Sequence, residues 1–186
     1  MRTGFLPILA ALLFVLSCGS RQESRHEPSL VYVSGGSGRI QAYFYDQERG
    51  LLELASESDG GANPSYLAFS SDGRWLYAVN SGVGEGRVLS FRVDRKDGAL
   101  TRVSGVPSGG KGPCHLSVHP GGRWLYVAHY GSGHVSVLPL GPDGSLGPPR
   151  ESHVAGVKAH MAITDPEGRH LLVPTLGLDQ VQVYRI

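Results

Sequence analysis

Gly-Arg-Trp-Leu-Tyr occurs twice in this sequence, at Gly73–Tyr77 and Gly122–Tyr126, 49 positions apart. A weaker copy, Gly168-Arg169-His170-Leu171-Leu172, follows 46 positions later. A sustained period in the forties confines the chain to repeat architectures, where each unit buries its apolar face only against its neighbours. Around these copies the same segments recur in the same order. The second unit reads PSYLAFS, RWLYAVN, GRVLSFRVD, GALTRVSG, and the third PCHLSVH, RWLYVAH, GHVSVLPL, GSLGPPRE. The first has LVYVSGG, GRIQAYFYD and GLLELASE, and the fourth AHMAIT, RHLLVPT and DQVQVYRI. The units span 30–57, 64–105, 113–151 and 159–186.

Each segment is of strand length, rich in β-branched and aromatic residues, and partly alternating. Ser-Asp-Gly at 71–73, Pro-Gly-Gly at 120–122 and Pro-Glu-Gly at 166–168 supply tight turns between first and second strands. Lys-Asp-Gly at 96–98 and Pro-Asp-Gly at 142–144 do so before the fourth. Four antiparallel strands per period is the signature of a propeller blade. The expected fold class is all-β: a β-propeller of four-stranded antiparallel blades, about four of them. The first unit lacks a first strand and the last a fourth, so we expect an open, truncated arc with exposed edges, the N-terminal part of a longer protein. A closed four-bladed ring is the alternative, against which the unpaired last strand argues.

Arg2, an apolar run from Phe5 to Leu16 and Ser17-Cys18-Gly19 form the pattern of a signal peptide over residues 1–18. The run is shorter than the roughly 20 residues of a spanning helix. Val15-Leu16-Ser17-Cys18 resembles a lipobox, so lipidation at Cys18 and plain secretion are the two expected fates. Both put the protein outside the cytoplasm, periplasmic or membrane-anchored. Residues 19–29 are polar and read as a flexible tether, with the folded part over 30–186. A net charge of +1 gives no reason to expect a nucleic-acid partner, and two cysteines are too few for a disulfide framework. The sequence sets no oligomeric state.

In a propeller the first strand of each blade lines the central channel, and ligands bind at one mouth of it. Near the start of that strand stand Tyr66, His115 and His160. Matching Leu67, Leu116 and Met161 puts the three in register, at the cost of one extra residue in the turn after Ile163. Without that insertion His160 aligns with Cys114, and Met161 with His115. Imidazole suits the base that deprotonates water near neutrality, and donors must stabilise charge on a carbonyl oxygen. The plain alternative for either histidine is a structural role, for His115 a channel-lining ring satisfied by a backbone carbonyl. His119 and His129 are expected in surface or packing roles, and Trp75 and Trp124 in packing between blades. Cys114 is expected to be a small buried hydrophobe rather than a nucleophile, because adjacent strand residues face opposite ways. Arg39 and Arg87 read as solvated turn residues. No pair of histidines shows the spacing of a helical zinc-protease motif, so a protein-built metal site is not expected, and Gly82–Gly86 lacks the strand-to-helix setting of a phosphate cradle.

NPSYLAFSSDGRWLYAVN, GPCHLSVHPGGRWLYVAHYGSGHVSVLPL with its DGSL, and AHMAITDPEGRHLLVPTLGLDQVQVYRI closely resemble the bacterial lactonase family. These are seven-bladed propellers typified by the propeller-type 6-phosphogluconolactonase and related to carboxymuconate cyclase. The resemblance runs from Leu30 to Ile186, and by analogy about half the propeller is present. It implies hydrolysis of a small-molecule sugar lactone in carbohydrate metabolism, without a cofactor. His160 lies in the motif resembling the family's active-site histidine and is the expected base; His115 and Tyr66 are expected substrate-binding residues. The family's pocket arginines and glutamate come from later blades, so this stretch alone is expected to be incomplete. Family members of sugar-phosphate metabolism work in the cytoplasm, whereas this chain carries an export pattern. That favours a different lactone or a non-catalytic surface propeller acting as a binding module.

Overall fold

The second strand of each repeat carries apolar residues at successive positions, and a strand with both faces buried requires that. A computed structural model describes residues 29–82 and 84–186. The signal-peptide pattern, Cys18 and nearly all of the tether lie outside the described residues. In β5 (Trp75–Asn80), Leu76 and Ala78 enter one apolar cluster while Tyr77 and Val79 enter another. In β9 (Trp124–His129), Leu125 and Val127 face back to the cluster of Tyr77 and Val79, while Tyr126 and Ala128 face forward. Each of these strands is thus shared between two cores.

The described residues contain no helix and form four antiparallel sheets. Sheet one is three-stranded: β1 (Ser29–Ser34), β2 (Arg39–Asp46) and β3 (Leu51–Asp59). Sheet two orders β4 (Pro64–Phe69), β5, β6 (Glu85–Val93) and β7 (Leu100–Lys111). Sheet three orders β8 (Pro113–Val118), β9, β10 (His134–Pro139) and β11 (Glu151–Val154). Sheet four has β12 (Ile163–Thr164), β13 (His170–Thr175) and β14 (Gln180–Arg185). Contacts between sheets link successive sheets, with β4 and β5 against β8, and β8 against β12. The arrangement is an open arc of blades with the first strands β4, β8 and β12 side by side.

Turns follow the glycine signals. Gly73, Gly122 and Gly168 have φ of 66°, 69° and 67°, and their amides close turns onto Ser70, His119 and Asp165. Their identical geometry excludes the extra residue expected after Ile163. Three hydrogen bonds carry the same register: Ser81 N–H to Asn63 O, Tyr130 N–H to Gly112 O, and Leu176 N–H to Lys158 O. Pro64, Pro113 and Ala159 are therefore equivalent, being paired with Asn80, His129 and Thr175. His160 stands in the row of Ser65 and Cys114, and Met161 in the row of Tyr66 and His115. The uninterrupted alignment holds.

Two expected strands also shift. The fourth strand of the third unit begins at Glu151, not Gly144, because Pro148 and Pro149 supply no ladder donors and only a Leu140–Leu146 bridge precedes them. In the first strand of the fourth unit only Ile163–Thr164 pairs as strand beyond the Ala159–Thr175 bridge. There the Ala162 amide turns to a side chain of the neighbouring blade.

Candidate site at the channel mouth

That side chain is His115. Its register on β8, opposite Ala128, is fixed by a bulge between Pro113 and His115. The imidazole is 5% exposed. One neighbour is the ring of Tyr66 from β4, with centroids 4.3 Å apart and planes tilted by 41°. On the other side the Ala162 N–H donates to Nδ1 at 3.3 Å. His115 is thus held between the second and fourth units. Burial, and the charge His160 carries when protonated, lower its pKa from 6.5 to about 4. The ring is neutral at ordinary pH.

His160 is exposed, and its ring meets the edge of Tyr130 with centroids 5.7 Å apart. Tyr130 follows β9 and in turn lies under the Lys158 ammonium, 5.8 Å from its ring centre. Lys158 adopts φ 60°, the same value as Gly112, its equivalent in the third unit. A non-glycine residue in that region costs roughly 1 kcal/mol or more. Tyr130 and Lys158 line an open groove of about 480 Å³ with Gly131, Gly133, Gly156 and Val157. Tyr66 and His115 are in direct contact, whereas His160 packs on Tyr130 and bears on His115 through its charge; none of the three lines the groove.

Cys114, next to His115, has its thiol within 3.4 Å of the His160 carbonyl and 3.6 Å of that of Ala159. Burial pushes its pKa up, so it is no thiolate nucleophile. His119 sits at the opposite end of β8 and links blades, donating from Nε2 to Gly168 O at 3.0 Å and accepting from Gly121 N–H at 2.9 Å. His129 is fully buried, stacked on His134 at 4.6 Å and within 3.1 Å of Ser108 Oγ. Arg39 pairs with Glu57 at 3.6 Å, and Arg87 donates to Gly105 O at 2.9 Å.

Tyr130 and Lys158 escaped the sequence reading. Their signals were present in the repeat itself: Tyr130 replaces Ser81 and Leu176 just after the second strand, and Lys158 stands where the third unit places Gly112.

Comparison with known proteins is consistent with this architecture. Residues 30–186 match the family described as lactonase, 7-bladed beta-propeller. The chain is 34% identical to the periplasmic gluconolactonase PpgL of Pseudomonas aeruginosa, with a TM-score of 0.77 over 84% of this chain and 49% of that one. It is 30% identical over 165 residues to the 6-phosphogluconolactonase of Bacillus subtilis, covering 83% of this chain and 47% of the relative. The Myceliophteria thermophila Cps50 (Swd1) beta-propeller domain, at 13% identity and TM-score 0.67, shares the fold alone. The chain therefore spans about half the length of the relatives it matches. It belongs to the lactonase family of seven-bladed β-propellers.

Proposed function

We propose that this chain takes part in hydrolysis of a sugar lactone of the gluconolactone kind, outside the cytoplasm. The observation that carries the reading is the contact of Tyr66 with His115 across two first strands, with His160 close enough to act on His115 by its charge, in a chain of this family. His160, which is exposed, is the base that takes a proton from water as the oxygen attacks the lactone carbonyl. Charge builds on the carbonyl oxygen, the ring C–O bond breaks, and the proton passes to the departing ring oxygen. Lactone and water give the open hydroxy acid. His115 and Tyr66 hold the sugar. Export is supported by the N-terminal pattern and by the periplasmic relative, and lipidation at Cys18 would tether the folded units to a membrane.

The test is turnover of glucono-δ-lactone above its spontaneous rate. Two proteins are compared: this chain, and this chain joined at Ile186 to the remaining half of the Pseudomonas aeruginosa relative. Turnover is expected at least in the joined protein, falling about 100-fold or more in His160→Ala. No turnover by either sinks the reading and favours a surface propeller that only binds.

A further inference from the structure

We infer that His115 serves the mouth as a neutral hydrogen-bond donor through Nε2–H, directed at the carbonyl oxygen of a bound lactone, and not as a base. The inference rests on the lactone-hydrolase reading of the same site. Its starting point is the bond from Ala162. A backbone amide only donates, so the Nδ1 it meets at 3.3 Å carries a lone pair and no hydrogen. In a neutral imidazole the hydrogen then belongs to Nε2. Charging the ring would set a second N–H against the Ala162 N–H and leave a buried amide without an acceptor.

The surroundings enforce the same state. His115 is 5% exposed, its ring lies against that of Tyr66, and its charged form is opposed by burial and by His160. Nε2 has no partner among the described residues, yet it is not among the sealed, unpartnered polar atoms. It is a donor that no described residue occupies. A lactone carbonyl gains negative charge on oxygen as water attacks, and a fixed donor stabilises that charge without giving up its hydrogen. The two histidines therefore divide the work: His160 exchanges protons and His115 keeps its own.

The test is the His115 side-chain resonance in long-range proton–nitrogen spectra of the ¹⁵N-labelled protein. It is assigned by its absence in His115→Gln, or by its proximity to the Tyr66 ring if that variant does not fold. An Nε2–H tautomer at pH 7 that persists to pH 5 is expected. An Nδ1–H tautomer, or an imidazolium at pH 6, overturns the inference. Adding gluconolactam, a non-hydrolysable probe that keeps the carbonyl, is expected to shift the Nε2–H resonance; an unchanged resonance at saturating probe also overturns it. Neither readout needs turnover, so an inactive protein counts against the lactone-hydrolase reading alone. In a turning-over protein, His115→Ala is expected to lower kcat about 100-fold, and His115→Gln, which keeps a donor, about 10-fold or less.

Discussion

The seam between sheets two and three and the seam between sheets three and four begin from the same word, Arg-Trp-Leu-Tyr, and reach different ends. In the earlier seam the Asp143-Gly144 turn of the next blade lies on Trp75, so closely that a Cβ at Gly144 would overlap the indole. Leu146 N–H donates to Ser104 Oγ at 2.9 Å, and Leu146 completes a core with Tyr77, Val88, Leu125 and Leu138. In the later seam Trp124 occupies the matching place but lines a cavity of about 600 Å³ with Tyr126, Leu171, Tyr184 and Arg185. Arg150 reaches to 6.0 Å from its ring, and the core beneath is filled largely by Ala128, Ala155, Ala159 and Ala162. The turn that corresponds to Asp143-Gly144 for Trp124 falls past Ile186, so the two seams differ first in whether that turn is present.

Leucine truncations should separate the seams most strongly. Leu125, with 0% exposure, belongs to the closed seam, and Leu125→Ala is expected to cost about 4 kcal/mol. Leu171→Ala, beside the cavity, is expected to cost about 2 kcal/mol. Equal losses in urea unfolding would erase the distinction. Next, Gly144→Ala should cost about 2 kcal/mol, because its φ of 77° strains a side chain and its Cβ would strike Trp75.

Acid probes the closed seam through His129, buried between β7 and β10 with its pKa lowered from 6.5 to about 4 by burial and by His134. The unfolded chain takes up this proton first. Its contribution is fully present above pH 6.5 and drains away as pH falls toward 4, by up to about 1.4 kcal/mol per pH unit. His115 adds the same sign of dependence over the same window. Unfolding free energies of His129→Gln measured across that range should show a slope smaller by one histidine's share, and an unchanged slope would refute the burial argument. The smallest difference is optical. Acrylamide should quench the protein retaining only Trp124 about 2-fold more steeply than the one retaining only Trp75; this reads the open and capped seams directly.

Much of this was legible from residue types alone. The glycine turns at 73, 122 and 168, the apolar second strands and the four-strand grammar all reflect local chemistry, and all survive in the fold. The site was legible in part. Tyr66 and His115 share a row because their units have the same length up to the turn, but His160 does not join that row. A match of Met161 to Leu116 suggested an insertion where none exists; the turn bonds and the hydrogen bonds from Ser81, Tyr130 and Leu176 fix the register. Partnerships across blades were hidden altogether. The Ala162 amide meeting His115, or Lys158 lying over Tyr130, depends on how one unit leans on the next, and no spacing within a unit records that.

The two-sided second strands carry a consequence for how such a chain can change. Leu125 and Val127 answer to one core and Tyr126 and Ala128 to the next. Adding or deleting a single residue in β9 would swap the pairs and damage two cores at once. Exchange, duplication or loss is tolerated only in whole periods of 46 to 49 residues. The period, rather than the single residue, is therefore the unit by which this chain can be lengthened or shortened.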